Sequence, residues 1–389
     1  MSWTSRQRVI AALEHREPDR VPININPVLE FYLNLKDYLG LEVEEEVRAS
    51  SMLEVTPHPK VLAELGVDLI AVKPGSPRGP RPALPKGAPS DAKLKFNDWG
   101  VGLRHVAQPG GGSYWEPVYH PLAAATIDDL EGYPWPDPSA PGRGKGAEAD
   151  ARRLHEDTEL ALVGRFGGPI VETAIYLLGF EEWLVRILRD VEFAEALLDK
   201  ITEIAMALDR VGLEATAKYL QIFKISGDDF GMQTGLLYAP KTFRRLFLPR
   251  LQRRWEAARA YLDEVNPTVK ILFHSCGGIR PIIPDLINIG LQVLDPVQPR
   301  AAGMDSAELK QEFGDRLSFH GGVDEQHVLP FGSEQEVEQE VLRCLRAFGP
   351  GGGYILAPAH YVQADVPPAN LVTMCRTVHR YGQYPILGD

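Results

Sequence analysis

The chain has 389 residues, 44% hydrophobic and 24% charged, the proportions of a folded globular protein and not of a disordered tract or fibrous repeat. Its 41 Lys plus Arg against 53 Asp plus Glu leave a formal charge of −12, which disfavours nucleic acid or an anionic membrane as a partner. Three cysteines without a CxxC spacing exclude a disulfide framework and suit a cytoplasmic chain, and no run approaches the ~18 apolar residues of a membrane span.

The first twenty residues, MSWTSRQRVIAALEHREPDR, lack the continuous apolar stretch of a signal peptide. Ser5–His15 reads as an amphipathic helix and Val21–Ile25 as a strand. Lys60–Leu65 reads as a helix and Asp68–Lys73 as the next strand. Residues 74–92, Gln108–Ser113 and Pro134–Gly146 are rich in Pro and Gly and are expected to be long loops. Leu160–Arg165 follows as a strand, with helices over Val171–Leu188 and Val191–Leu213.

From about Ala215 the alternation is regular. Strands are expected at Tyr219–Ile225, Val269–Phe273, Leu291–Leu294, Arg316–Phe319 and Tyr354–Ala357. Helical patterns lie near 240–263, 279–289, 305–313, 334–347 and 367–380. Ser333 and Pro367-Pro368 mark two of the starts. Arginines from Arg244-Arg245 to Arg253-Arg254 read as the solvated edge of a helix. Strands alternating with helices imply parallel βαβ units. About eight such units predict an α/β fold, a single (β/α)8 TIM barrel over residues 1–389, with long Pro/Gly-rich loop insertions in the N-terminal half. A doubly wound open sheet is the alternative, but no GxGxxG follows the first strand.

A barrel carries its site at the C-terminal ends of its strands. Five consecutive strands lead into clusters of Gly, Asp, His, Cys or Gln: Ser226–Asp229, His274–Gly278, Asp295–Gln298, His320–Asp324 and Pro358–His360. In extended chain, residues two apart face one side, so His274 and Cys276 can close on one ion. Zinc accepts such nitrogen and sulfur donors and, in catalytic sites, keeps a position open. His360, at another strand end, is the candidate third ligand. Asp228 and Asp229 are candidate acid–base groups or partners that orient a ligand, with a helix cap as the alternative for one of them. Gln298, His320 and Asp324 are candidate substrate contacts. Cys344 and Cys375 sit among apolar helical positions and are assigned to the core.

At these strand ends the sequence resembles the uroporphyrinogen decarboxylase superfamily. The segments that carry the likeness are Pro18–Pro22 (PDRVP), Gly227–Gly231 (GDDFG), HSCGG at 274–278, LDPVQ at 294–298, FHGGVDEQ at 319–326 and GGYILAPAHYVQADVP at 352–367. The resemblance implies a (β/α)8 barrel and one of two chemistries. The decarboxylase branch removes carboxylates from a tetrapyrrole without a cofactor, and carries arginines after its first strand. Here that stretch, Asn24–Phe31, has none. The corrinoid-dependent methyltransferase branch moves methyl groups between methyl-corrinoids and thiols, with a zinc motif of HxC followed by a distant Cys. His274 and Cys276 match its start, and His360 stands in the LAPAH segment where the distant Cys is expected.

The leading expectation is therefore a zinc-dependent methyltransferase with a methyl-corrinoid as donor, free or on a corrinoid protein partner. A metal-free carboxy-lyase is the second, with Asp68 or Asp228 stabilising charge on the substrate ring and His360 moving the proton. A corrinoid- or tetrapyrrole-binding protein without catalysis is the third.

Overall fold

Seven short runs pair into one parallel sheet: β1 (Leu69–Ala71), β2 (Ala161–Gly164), β3 (Ile222–Gly227), β4 (Lys270–His274), β5 (Val293–Val297), β6 (Ser318–Val323) and β7 (Tyr354–Pro358). They neighbour one another in chain order, each linked to the next by a crossover containing helix, as parallel pairing requires. The computed structural model describes residues 3–43, 55–72, 74–75, 77, 83–85, 87–107 and 112–386.

The expected first strand, Val21–Ile25, is extended but forms no full ladder. It bridges the two edge strands of the sheet. The Asp68 N–H donates to Ile23 O, the Leu356 N–H to Pro22 O and the Asn24 N–H to Leu356 O, each at 2.9 Å. Pro22 and Pro27 have no N–H to give, which keeps the pairing to isolated bridges.

The ladders run further than the apolar runs predict. The expected strands end at Phe273, Leu294 and Phe319, whereas pairing continues to His274, Val297 and Val323. Backbone makes the ladder, so polar residues join it at no cost in hydrogen bonds. The extension brings His274, Asp295 and His320 into the sheet itself.

Leu69, Ala161, Ile222, Leu272, Val293 and Ile355 form a small inner layer with Val9 and Leu13. The last two come from the helix Ser5–Leu13, which stoppers the N-terminal end of the sheet and starts at a capping box of Thr4 and Gln7. Just beneath β1, the fully buried Asp68 carboxylate accepts from Arg8 Nη1 (2.6 Å), Arg20 Nη1 (2.7 Å) and the Ile23 N–H (2.8 Å). The larger core lies between sheet and outer helices, around Trp183, Phe193 and Trp255.

Several expectations are corrected. Val171–Leu188 is two helices, Val171–Leu178 and Phe180–Arg189, because Gly179 turns the chain at a φ of 86°. The N-terminal Pro/Gly-rich stretches frame an antiparallel sheet of Leu94–Phe96, Gly102–Ala107 and Ser113–Tyr119. A helix, Arg143–Asp157, begins inside the expected Pro134–Gly146 loop. Its Gly144 backs onto Val211 and Ala215, and Ala147, Ala151 and Leu154 are its buried face. Lys73 and parts of 74–92 and Gln108–Ser113 lie outside the described residues.

The arginine-rich helix is not solvated throughout. Arg254 is 1% exposed, pairs with Asp209 (Nε–Oδ2 2.6 Å) and donates to Gly168 O, and Arg250 is buried as well. Cys344 and Cys375 are in the core as expected. Among the described residues no helix is long and apolar enough to cross a membrane.

Candidate metal centre and adjoining cavity

His274 is the last residue of β4, and register sets it level with Asp295 on one side and Gly227 on the other. Its Nδ1 lies 2.8 Å from Asp295 Oδ2. Its Nε2 lies 3.4 Å from the Cys276 sulfur, two residues on, as the extended spacing requires. His360 arrives from just beyond β7, with its ring 5.8 Å from that of His274 at 62°. One ligand atom from each of His274, Cys276 and His360 falls within 4.8 Å of the other two.

The loop that carries Cys276 is held by backbone donors. The Cys276 N–H donates to Asp229 Oδ1 (2.8 Å) and the Gly277 N–H to Gln298 Oε1 (2.7 Å). Gly277 has a φ of +83°, and a Cβ there would stand 2.4 Å from the Gly231 carbonyl carbon, so the turn admits only glycine.

The electrostatics suit a cation. Burial, then the neighbouring His274, pulls His360 down to about 4, so its ring is neutral near pH 7 and keeps a lone pair for a ligand bond. Burial, then the carboxylates of Asp229 and Asp295, pushes the Cys276 thiol well above its ordinary range. A bound cation reverses that balance, because a coordinating thiol gives up its proton. Burial alone would raise Asp295, but Lys224, His320 and His274 outweigh it and hold the carboxyl well below the usual range. Two imidazoles and a sulfur are a donor set that zinc accepts.

Glu172, in the first turn of Val171–Leu178, is pushed up from 4.5 to about 8 by burial, then by Asp229 and Asp228. The folded protein thus holds this proton to higher pH than the unfolded chain does. The stability tied to it is fully present below about pH 4.5 and is lost as the pH rises through about 8. Glu172→Gln is expected to flatten that decline by about 3–4 kcal/mol. Urea unfolding at pH 5 and pH 8 checks this, and an equal decline in both proteins would refute it.

The other anticipated residues make the following contacts. Asp228 is fully buried, and its Oδ1 accepts the N–H groups of Val171 (2.6 Å), Ile170 (2.9 Å) and Glu172 (3.3 Å). These bonds cap the helix Val171–Leu178, the alternative expected for one of the two aspartates. Asp229 is the member of the pair beside the metal group, with Oδ1 3.8 Å from His274 Nε2. Asp324, expected to meet substrate, accepts from the Gln326 and His327 N–H groups and pairs with Arg300. Gln298 positions the Gly277 backbone. His320 does border open space.

That space is a small cavity of about 70 Å³ that opens to solvent. Its polar walls include Asn24, Arg165, Lys224, Asp295, His320 and Tyr361. Arg165 Nη1 meets the Tyr361 hydroxyl at 3.2 Å. Sequence reasoning missed Lys224 and placed Asp295 in a strand-end cluster without giving it a role. The signal was present: a lysine inside the apolar run YLQIFKI, and an aspartate ending LQVLD, each an ionisable group where a strand should be buried. Asp68, the other candidate for stabilising charge on a ring, sits at the opposite end of β1 and is occupied by two arginines.

Comparison with known proteins follows the same lines. The family model for uroporphyrinogen decarboxylase (URO-D) matches residues 91–381. A uroporphyrinogen decarboxylase from Alkalilimnicola ehrlichii is 24% identical over 98% of this chain and 95% of its own length. A methylcobamide:CoM methyltransferase from Methanosarcina barkeri is 26% identical over 57% of this chain and 59% of its own. Among solved structures, a methyltransferase from Methanosarcina mazei superposes with a TM-score of 0.62 at 19% identity, covering 98% of this chain and 99% of that one. At that identity the likeness speaks for the fold.

Proposed function

The chain belongs to the uroporphyrinogen decarboxylase family, and from that premise we propose that it is a zinc-dependent methyltransferase moving a methyl group from a methyl-corrinoid to a thiol. The observation that carries this reading is the convergence of His274, Cys276 and His360 ligand atoms to within 4.8 Å. The likeness to the Methanosarcina barkeri methyltransferase supports it. We read the seven strands and the bridging segment as a (β/α)8 barrel spanning 1–389 as one domain. Its unpaired cysteines suit the reducing cytoplasm.

In this reading His274 Nε2, Cys276 Sγ and a His360 ring nitrogen hold zinc. Zinc, when bound, supplies a positive charge that keeps a thiol beside it deprotonated near neutral pH. Asp295 accepts a hydrogen bond from His274 Nδ1–H, which leaves Nε2 free to bind. Asp229 holds the Cys276 backbone in place. The cavity beside Lys224, His320 and Tyr361 orients the acceptor. The thiol sulfur forms the new bond to the methyl carbon, the cobalt–carbon electron pair stays with the corrinoid, and the thiol proton goes to solvent. The donor is either free or carried by a corrinoid protein.

Gently purified wild type is expected to carry about one zinc ion per chain, and Cys276→Ser to lose most of it. Metal analysis of both checks this, and a metal-free wild type would end the zinc reading. The near-full-length likeness to a decarboxylase favours a second reading, a metal-free carboxy-lyase in which His360 handles the proton. That reading requires activity to survive both chelators and Cys276→Ser.

A further inference from the structure

Asp295 is only 5% exposed, and both of its carboxylate oxygens are committed. Oδ1 lies 2.7 Å from His320 Nδ1. Oδ2 lies 2.8 Å from His274 Nδ1 and 2.8 Å from Lys224 Nζ. On its far side the His320 ring meets Asn24, with Nε2 3.0 Å from Nδ2.

These contacts assign the protons. The Asn24 amide nitrogen only donates, so His320 Nε2 accepts and its proton sits on Nδ1, toward Asp295. The reverse amide orientation would need a doubly protonated ring, and in either case Nδ1 carries a proton toward Asp295, because a bare Nδ1 at 2.7 Å would set two acceptors in contact. His274 likewise donates its Nδ1–H to Asp295 Oδ2, which turns the Nε2 lone pair toward Cys276. One carboxylate therefore sets the tautomer and ring angle of two imidazoles. One belongs to the His–Cys–His group; the other, His320, borders the cavity and is no member of that group. The parts come from β3, β4, β5, β6 and the bridging segment, so neither ring can swing without disturbing the other.

We propose that Asp295 is a positioning residue that couples the metal ligand His274 to the cavity wall at His320, so that zinc affinity depends on a side chain that does not touch zinc. The inference rests on the zinc reading above. By linkage it works in both directions: a molecule that displaces His320 changes zinc affinity, and zinc changes that molecule's affinity by the same factor.

The test measures zinc dissociation constants of the full chain by competition with a chromophoric chelator, and the visible spectrum of the cobalt-substituted protein. Asp295→Asn is expected to weaken zinc binding about 10- to 100-fold, and His320→Leu about 10-fold. His320→Asn, which keeps a donor near the Nδ1 position, is expected to recover most of the loss. The cobalt bands of the Leu variant should shift, and those of the Asn variant return toward wild type. Melting of the metal-free forms separates a folding defect from a local one. If His320→Leu does not fold, the affinity and cobalt spectrum of His320→Asn and Asp295→Asn carry the test. Wild type that holds zinc, with folded Asp295 and His320 variants within about twofold of it, would overturn the coupling alone. Wild type that takes up no zinc would overturn the function reading and this inference with it.

Discussion

Replacing His360 by alanine is expected to lower methyl transfer to a thiol by at least about a hundredfold and to strip zinc from the protein. The magnitude follows from what His360 contributes. Its ring is one of three donors that converge within 4.8 Å, and the other two come from a single short segment, His274-x-Cys276. Without His360 that segment has no partner from across the sheet. Burial and the neighbouring His274 already keep the His360 ring neutral, so no proton has to be displaced before it binds a cation. Alanine also leaves the Cys276 thiol in surroundings that disfavour its ionised form.

His360→Cys is expected to restore zinc, because sulfur serves the ion as well as nitrogen does. Zinc content and thiol methylation measured together on the three proteins check this. A His360→Ala enzyme that keeps stoichiometric zinc and full turnover would refute the metal assignment. Loss of activity in His360→Ala alongside full activity in Cys276→Ser would instead favour the carboxy-lyase.

Asp68→Asn is expected to cost about 3–5 kcal/mol of folding stability while leaving zinc affinity unchanged. The Asp68 side chain has no solvent exposure and compensates two guanidinium groups and a backbone N–H. Arg8 keeps a second partner in Asp19, so the larger penalty falls on Arg20. Without the carboxylate, Arg20 retains only the carbonyls of Val21 and Gly66. Asparagine preserves the shape, so the change isolates the missing charge. Denaturant unfolding beside a zinc titration separates the two effects. A variant as stable as wild type would refute the ion-pair account, and a weakened zinc site would mean that the two ends of the sheet are coupled.

The chemistry of the strand ends was legible because the barrel rule is geometric: a polar residue that follows an apolar run lies at the rim. His274, Cys276 and His360 were found this way. Lys224 escaped it by lying inside its apolar run, and Asp295, though at a strand end, went without a role because its partners lie on neighbouring strands. Whether a buried charge is paired depends on register, and local sequence does not report register. Asp228 and Asp229 show the same limit: adjacent carboxylates of one chemical type, one capping a distant helix and the other beside the metal group. Arg254 read as solvated because helical spacing says nothing of Asp209, which lies 45 residues earlier in the chain.

The N-terminal half was least legible. Its Pro- and Gly-rich stretches suggest irregular loops, yet between them stand three antiparallel strands of half-buried side chains. Alternation there is weak, because no strand has one fully buried face. The helix Arg143–Asp157 was hidden by Gly144 and Gly146, residues that disfavour helix in isolation; at Gly146 a Cβ would stand 3.1 Å from the Gly75 Cα.

Val9 and Leu13 seal the far end of the sheet, and that has a kinetic meaning. On the proposed reading, closure at that end favours an order of traffic. If the chain transfers methyl groups as proposed, a small acceptor would be seated before a bulkier donor covers the mouth, and the methylated product would depart only after the spent donor has withdrawn. Turnover would then follow a compulsory sequence, with excess donor inhibiting by occupying the doorway first.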